Sequence, residues 1–375
     1  MALSLLPFAL GYALSYLIRS ASASLADPMA KDLGLAPGEL GVLTAFFFLG
    51  FAGAQVPLGR VLERFGPGPT LSGLFALAAL GCGLVVLASE TFLLALGRLA
   101  MGVGMALALV GALRAYQIWA PERLGFLSGL TVALGGLGGI LSSWPVVQLA
   151  EALGWRGVYA LLGLLSLLLA WSLQRIRGDG GGTGWAPEGG LSVRALLPLA
   201  FIAFAYIGGF FALQTLWVGT YASASGLSPD EVGMLLALLN LASVLGAFAS
   251  GGFAALMGTG RALLVGMGLF ALGLLAWTSG RALALSYALL GFGGGFNGLA
   301  LAFVAETFRG SSSRAMAWVN LAGVLGIFLL QAGMGLAVEG LGYPCALEGL
   351  LLLEGLAILI LGLRLYGRGA FKKLS

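Results

Sequence analysis

Few residues in this chain could do chemistry, and Arg19 is the most informative. It stands about 17 residues into an apolar stretch that begins at Ala2, with Tyr16 and Tyr12 one and two turns before it. At about 1.5 Å per residue that is near 25 Å along a helix. A guanidinium facing lipid is costly, by estimates from about 2.5 to well over 10 kcal/mol, so Arg19 should meet a partner, water or a bound molecule. No acid within the apolar stretches of the first half can neutralise it. The alternatives are Asp27, just beyond the stretch, or a side chain snorkelling to the outer interface. A fixed cation beside tyrosines can hold a carboxylate or a similar anion through two hydrogen bonds.

Other chemistries are poorly represented. There is no histidine, so imidazole ligation, a histidine relay and a histidine pH switch are excluded. No metal-ligating cluster or cofactor motif is present, and the reading is of a protein that is not an enzyme and holds no cofactor. Glu348 and Glu354 are the acids inside apolar stretches. Six residues apart, they differ by about 240° around a helix and cannot share a face. Without a membrane acid beside Arg19, anion exchange or uniport is expected over proton symport; the coupling ion itself stays unknown. Cys82 and Cys345 sit in apolar runs and read as small buried hydrophobes, not as a disulfide.

The elements that carry these residues follow from composition. Of 375 residues, 59% are apolar and 9% are charged. Soluble domains carry about 25% charged residues, so a normal solvated surface cannot be built. A soluble enzyme, a nucleic-acid binder and a disordered scaffold are excluded. Turn signals and isolated charges mark twelve helical spans at 3–26, 39–58, 69–88, 92–113, 125–147, 156–173, 195–218, 231–254, 262–279, 282–304, 314–337 and 343–364. The first lacks a preceding basic region and leads into another span, so it reads as a retained helix and not a cleaved leader. Fourteen Lys and Arg fall in one set of loops and tails and three in the other, which predicts cytoplasmic termini. The organisation expected is a bundle over 1–174, a flexible cytoplasmic linker over 175–194 rich in glycine, and a second bundle over 195–375.

The halves repeat. Leu153-Gly154-Trp155 returns as Leu341-Gly342-Tyr343, Gly135 and Gly138 as Gly323 and Gly326, and Glu39-Leu40-Gly41 as Glu231-Val232-Gly233, at offsets of 188 to 192. Span n therefore pairs with span n+6, as parallel repeats related by a pseudo-two-fold axis along the membrane normal. The glycines of span five, Gly135 and Gly138 among them, admit two readings: static close packing, or smooth faces on which the halves tilt.

Gly59-Arg60-Val61-Leu62-Glu63-Arg64-Phe65-Gly66 resembles the cytoplasmic gate motif of the major facilitator superfamily, with Glu63 where the family commonly has Asp and without the basic residue after the second glycine. Arg98 with Gly102 and Gly104 resembles the family's span-four pattern, and Gly154-Trp155-Arg156 is also similar to it. The chain thus resembles that family over essentially all its length, and the segment from Arg19 to Leu35 is similar to bacterial nitrate, organic-anion and sugar-phosphate permeases.

The resemblance implies an all-α secondary transporter of the bacterial cytoplasmic membrane, a monomer working by alternating access on a small anion. Gating would involve Gly59, Glu63, Arg64, Arg98, Gly102, Gly135 and Gly138, with Glu63 approaching the start of span eleven near Ser311. Spans one, four, seven and ten would line the cavity. Candidate substrate contacts are then Arg19, Tyr12, Tyr16, Gln214, Trp217 and Asn297, with Asn240 and Asn320 on neighbouring spans. Each buried amide is either helix-to-helix glue or a substrate contact. Span seven carries no cation, which favours a monoanion or small carboxylate over a phosphate ester. The alternative is export of amphipathic compounds, with Arg19 structural.

Overall fold

The computed structural model describes residues 2–176, 193–278, 282–308 and 312–371. The described residues are almost wholly helical, and no strand occurs among them. Span one is Ala2–Leu33, span two Pro37–Phe65 and span three Pro67–Leu87. Span four is broken into Thr91–Met105 and Ala108–Trp119. Span five runs through Leu124–Leu141 and into Trp144–Gln174, whose second arm is span six. Span seven begins at Val193 and ends at Ala224, spans eight and nine are Pro229–Met257 and Thr259–Thr278, and span ten runs from Leu283 to Thr307. The helix Ser312–Phe371 carries spans eleven and twelve.

Ten of these helices are long and apolar enough to cross a membrane. The last apolar segment, Arg314–Tyr366, has 53 residues. At about 1.5 Å per residue it would be near 80 Å if straight, against a hydrocarbon core of about 30 Å. It folds at Gly342, whose φ of 83° and ψ of 168° leave the helix. Counting that segment twice and adding the more polar first helix gives the twelve expected spans.

The turns preserve the repeat. Among the described residues every positive φ belongs to a glycine, and the six form three pairs: Gly34 with Gly226, Gly66 with Gly258, and Gly154 with Gly342. Their separations are those of the sequence repeat, and each pair joins corresponding spans. A left-handed residue lets one helix reverse into the next with almost no loop, and glycine takes that conformation without a Cβ clash.

Packing repeats as well. A Cβ on Gly102 would lie 1.9 Å from the Phe47 carbonyl oxygen, and one on Gly291 would lie 2.1 Å from that of Leu239. Spans two and four, and in the other half spans eight and ten, thus touch backbone to backbone. In lipid, where area burial gives little drive, such contacts replace the hydrophobic effect.

The chain forms two compact units. One comprises residues 1–185 with 215–237; the other comprises 186–214 with 238–375. Relative to the expected division at 175–194, the segment Thr215–Ala237 belongs with the first unit. Most of the expected linker lies outside the described residues. In the second unit Tyr206, Phe210 and Phe270 make edge-on contacts, with ring centroids 5.8 and 6.2 Å apart. In the first, Cys82 is buried and its Sγ lies 3.4 Å from Met101 Sδ. Cys345, expected to be buried, is exposed; it lies in the first turn of span twelve after the Gly342 reversal, on a different side of the helix from the buried Ala346 and Leu347.

Candidate functional site

In the first unit, span one brings its three singled-out residues together. Tyr12, Tyr16 and Arg19 recur at i, i+4 and i+7, the spacing of one helical face. The two tyrosine rings meet edge to face at 5.4 Å, and the Arg19 guanidinium lies 3.9 Å above the Tyr16 ring. Arg19 is half-buried, and its Nε and Nη2 are sealed from water. A cation over an aromatic face gains about 0.5–2 kcal/mol, so the ring helps to orient the charge. Asp27, the alternative partner, forms an ion pair with Lys31 at 2.8 Å. It stands eight residues from Arg19, about 12 Å along the axis.

The span-five glycines support this face. A Cβ on Gly135 would stand 2.6 Å from Tyr12 and 3.3 Å from Tyr16, and one on Gly138 would stand 2.2 Å from the Ala13 carbonyl oxygen. Both contacts lie inside the first unit. This geometry describes close packing of span five on span one within the first unit.

Arg98 is the more deeply buried cation. It is 2% exposed. Its Nη1 donates to Ser22 Oγ at 2.5 Å, its Nη2 approaches Met29 Sδ at 3.7 Å, and its guanidinium faces the Tyr159 ring at 5.2 Å. It therefore ties span four to spans one and six within the unit. Nothing in the residue order ranks it above Arg19, because its partners come from two distant spans and none is an acid.

One end of the first unit is tied by hydrogen bonds that sequence reasoning missed. Asp230 accepts from Trp144 Nε1 at 3.0 Å and from Gln148 Nε2. Ser24 Oγ donates to the Ser142 carbonyl at 2.6 Å. Beside these lies a cavity of about 340 Å³ lined by Ser24, Asp27, Lys31, Glu151 and Ser223 among others. Nearby, Asp32 accepts from Trp155 Nε1 at 3.1 Å and from Arg156, whose Nη2 donates to the Ala88 carbonyl. Arg156 and Trp155 hold the Asp32 carboxyl below its usual range. The family-like residues Trp155 and Arg156 thus tie span six to the ends of spans one and three.

The gate-like segment is solvent-facing. Glu63 and Arg64 are exposed at the end of span two, where the Arg64 guanidinium lies 5.2 Å over Phe65. Gly59 has open space where a Cβ would be. Ser311, the expected approach point for Glu63, lies outside the described residues.

Trp217 is 1% exposed and belongs with the first unit. The second unit holds the amides. Gln214 Nε2 donates to Asn240 Oδ1 at 2.7 Å, and both side chains are buried. Asn297 donates to the Gly294 carbonyl at 2.8 Å within its own 3-10 turn, and Asn320 is half-buried on span eleven. Span seven, which carries Gln214, is itself irregular, with π-turns at Ala203–Ile207 and Leu213–Trp217.

The all-helical repeat of long apolar spans is that of an integral membrane protein. The profile of the Major Facilitator Superfamily matches residues 8–197 and 199–373, and the chain belongs to that family. It is 31% identical over 165 residues to a probable sulfoacetate transporter of Cupriavidus necator, covering 43% of this chain and 37% of that protein. It is 27% identical to a nitrate/nitrite transporter of Nostoc punctiforme, over 39% and 31% of the two chains. It is 30% identical to an efflux pump of Mycolicibacterium smegmatis, over 42% and 37%. The matched stretch thus spans between 31% and 37% of these relatives. Among solved structures, a D-xylose–proton symporter superposes with a TM-score of 0.76 at 13% identity over 96% of both chains, a likeness of fold.

Proposed function

We propose that this protein is a secondary active transporter that moves a small organic or inorganic monoanion across the bacterial cytoplasmic membrane by alternating access, with Arg19 as the anion-binding cation. The observation that carries the reading is the half-buried Arg19 guanidinium held over Tyr16 on the face shared with Tyr12. A guanidinium fixed in this way offers two parallel donors to a carboxylate, sulfonate or nitrate group. The sulfoacetate and nitrate/nitrite names of two relatives support an anion. The lack of any cation over residues 195–218 of span seven supports a single negative charge.

The remaining assignments follow the same reading. Gln214 and Asn240, with Asn297, Asn320 and Trp217, are proposed to contribute polar and aromatic contacts to the substrate. Gly59, Glu63 and Arg64 are proposed as the cytoplasmic gate, with Arg98 and Gly102 holding span four in place as it moves. The bias of Lys and Arg towards one set of loops supports cytoplasmic termini, and the protein is proposed to act as a monomer.

Thermal stabilisation of the purified protein tests the substrate class, because a ligand bound only to the folded state raises apparent stability, by about 2.7 kcal/mol at a hundred times its dissociation constant. Nitrate, nitrite or sulfoacetate should stabilise wild type and not Arg19→Ala. Stabilisation by amphipathic cations alone, equal in both proteins, would overturn the anion reading and favour efflux of amphipathic compounds.

A further inference from the structure

Span twelve buries one face in the second unit. Leu350, Glu354, Ala357 and Leu361 recur at i, i+4, i+7 and i+11, and each is 3% exposed or less. The opposite face, with Leu352 and Leu356, is exposed and apolar. Leu350 packs where a Cβ on Gly209 would stand 3.1 Å from it, so span twelve lies against span seven at that level. The two helices run in opposite directions, which brings Glu354, one turn further, to the level of Tyr206. Tyr206 is fully buried on the first π-turn of span seven and donates to the Gly293 carbonyl.

Glu354 is fully buried, and among the described residues neither carboxyl oxygen has a hydrogen-bond partner. The surrounding stretches supply no counter-charge. Residues 195–217 of span seven contain Tyr206 as their one titratable side chain, and residues 262–278 of span nine and 315–338 of span eleven contain none. Arg364, further along span twelve, donates to the Ala195 carbonyl at 3.0 Å. Glu348, on the other side of the same helix, is exposed. A carboxylate is not retained in such a place without a partner, whereas a neutral acid is. A leucine would fill the same face without this difficulty, so packing does not account for the residue. Its neighbour is a π-turn, a distortion that frequently marks functional segments of helices.

We propose that Glu354 is a proton-binding site of the second half, which takes up and releases one coupling proton in each transport cycle. In the closed environment described here the proton stays on the carboxyl. When span seven shifts at its π-turn and water reaches the site, the O–H bond breaks heterolytically, the proton passes to water, and a carboxylate remains until the reverse step reloads it. The inference rests on the transporter reading, and it changes the expectation of uniport or exchange to proton-coupled movement of the anion.

Two measurements on the full-length protein in proteoliposomes test it. The first needs no substrate: infrared difference spectra between acid and alkaline pH should show the carbonyl stretch of a protonated carboxyl that is lost on alkalinisation, and Glu354→Gln should abolish that band. Gln copies the neutral acid, so this variant should melt with wild type; Glu354→Asp, which keeps the acid, should retain the band as a second check. The second measurement imposes a nitrate or sulfoacetate gradient and follows proton movement with a pH dye. Wild type should move protons with the anion, and Glu354→Gln should lose that anion-driven proton movement. A band that persists at all pH values, or anion-driven proton flux unchanged in Glu354→Gln, overturns the proposal. Absence of anion flux in wild type with the titrating band intact would instead overturn the anion reading and leave the proton site standing.

Discussion

Replacing Gly102 with alanine should separate two helices that now touch through their backbones. The new Cβ would lie 1.9 Å from the Phe47 carbonyl oxygen, 2.8 Å from its carbon and 3.0 Å from the Phe51 nitrogen. Ordinary contact begins at 3.4 Å, so spans two and four must part by about 1.5 Å (3.4 less 1.9). No side-chain rotation relieves a clash with backbone. Overpacking of this kind costs about 1–3 kcal/mol, and the upper end applies because the whole helix must move. Gly291→Ala should behave alike, since its Cβ would meet the Leu239 carbonyl at 2.1 Å. Gly73→Ala is the control: nothing lies within 4 Å of its Cβ, and alanine favours a helix over glycine by about 1 kcal/mol. Thermal unfolding of the detergent-purified variants should therefore rank Gly73→Ala at or above wild type, with Gly102→Ala and Gly291→Ala well below. Wild-type melting of both crowded variants would refute the backbone-contact account of how each half is packed.

Two further outcomes follow from the hydrogen bonds. Gln214→Ala removes the buried hydrogen bond to Asn240 and should destabilise by about 0.5–1.5 kcal/mol; the double variant with Asn240→Ala should lose less than the sum, and strict additivity in the cycle would deny their coupling. The Asp32 carboxyl is held below its ordinary range by Arg156 and Trp155, so its tie is intact above the usual carboxylate pKa and is lost as pH falls through the lowered value. Trp155 fluorescence should change across that acid window in wild type and stay flat in Asp32→Asn.

Much of the architecture was written in the residue order. Apolar runs marked the spans, and the offset linking Gly154 to Gly342 reappears as matching reversals of the chain. The face shared by Tyr12, Tyr16 and Arg19 follows from helical spacing, and the structure adds the cation–ring contact. Other features depend on contacts between distant spans. That Gly138 packs against the Ala13 backbone is not legible in a run of small residues, because the partner lies on a distant span. Helical spacing separated Glu348 from Glu354 by face, but leucines flank both, so which one is buried depended on the neighbours of span twelve. The π-turns of span seven left no trace, because one extra residue in an apolar run does not disturb its hydropathy. Asp230 reads as an ordinary helix-start acid; its bonds to Trp144 and Gln148 bridge more than eighty positions.

Counterflow of labelled nitrate and of labelled sulfoacetate in proteoliposomes, compared for wild type, Arg19→Lys and Arg19→Ala, addresses the anion site most directly. The account predicts saturable flux of at least one of the two anions in wild type, a reduced rate with lysine, which keeps the charge without the paired donors, and none with alanine. Undiminished anion flux in Arg19→Ala, with the protein folded and correctly inserted, would contradict it.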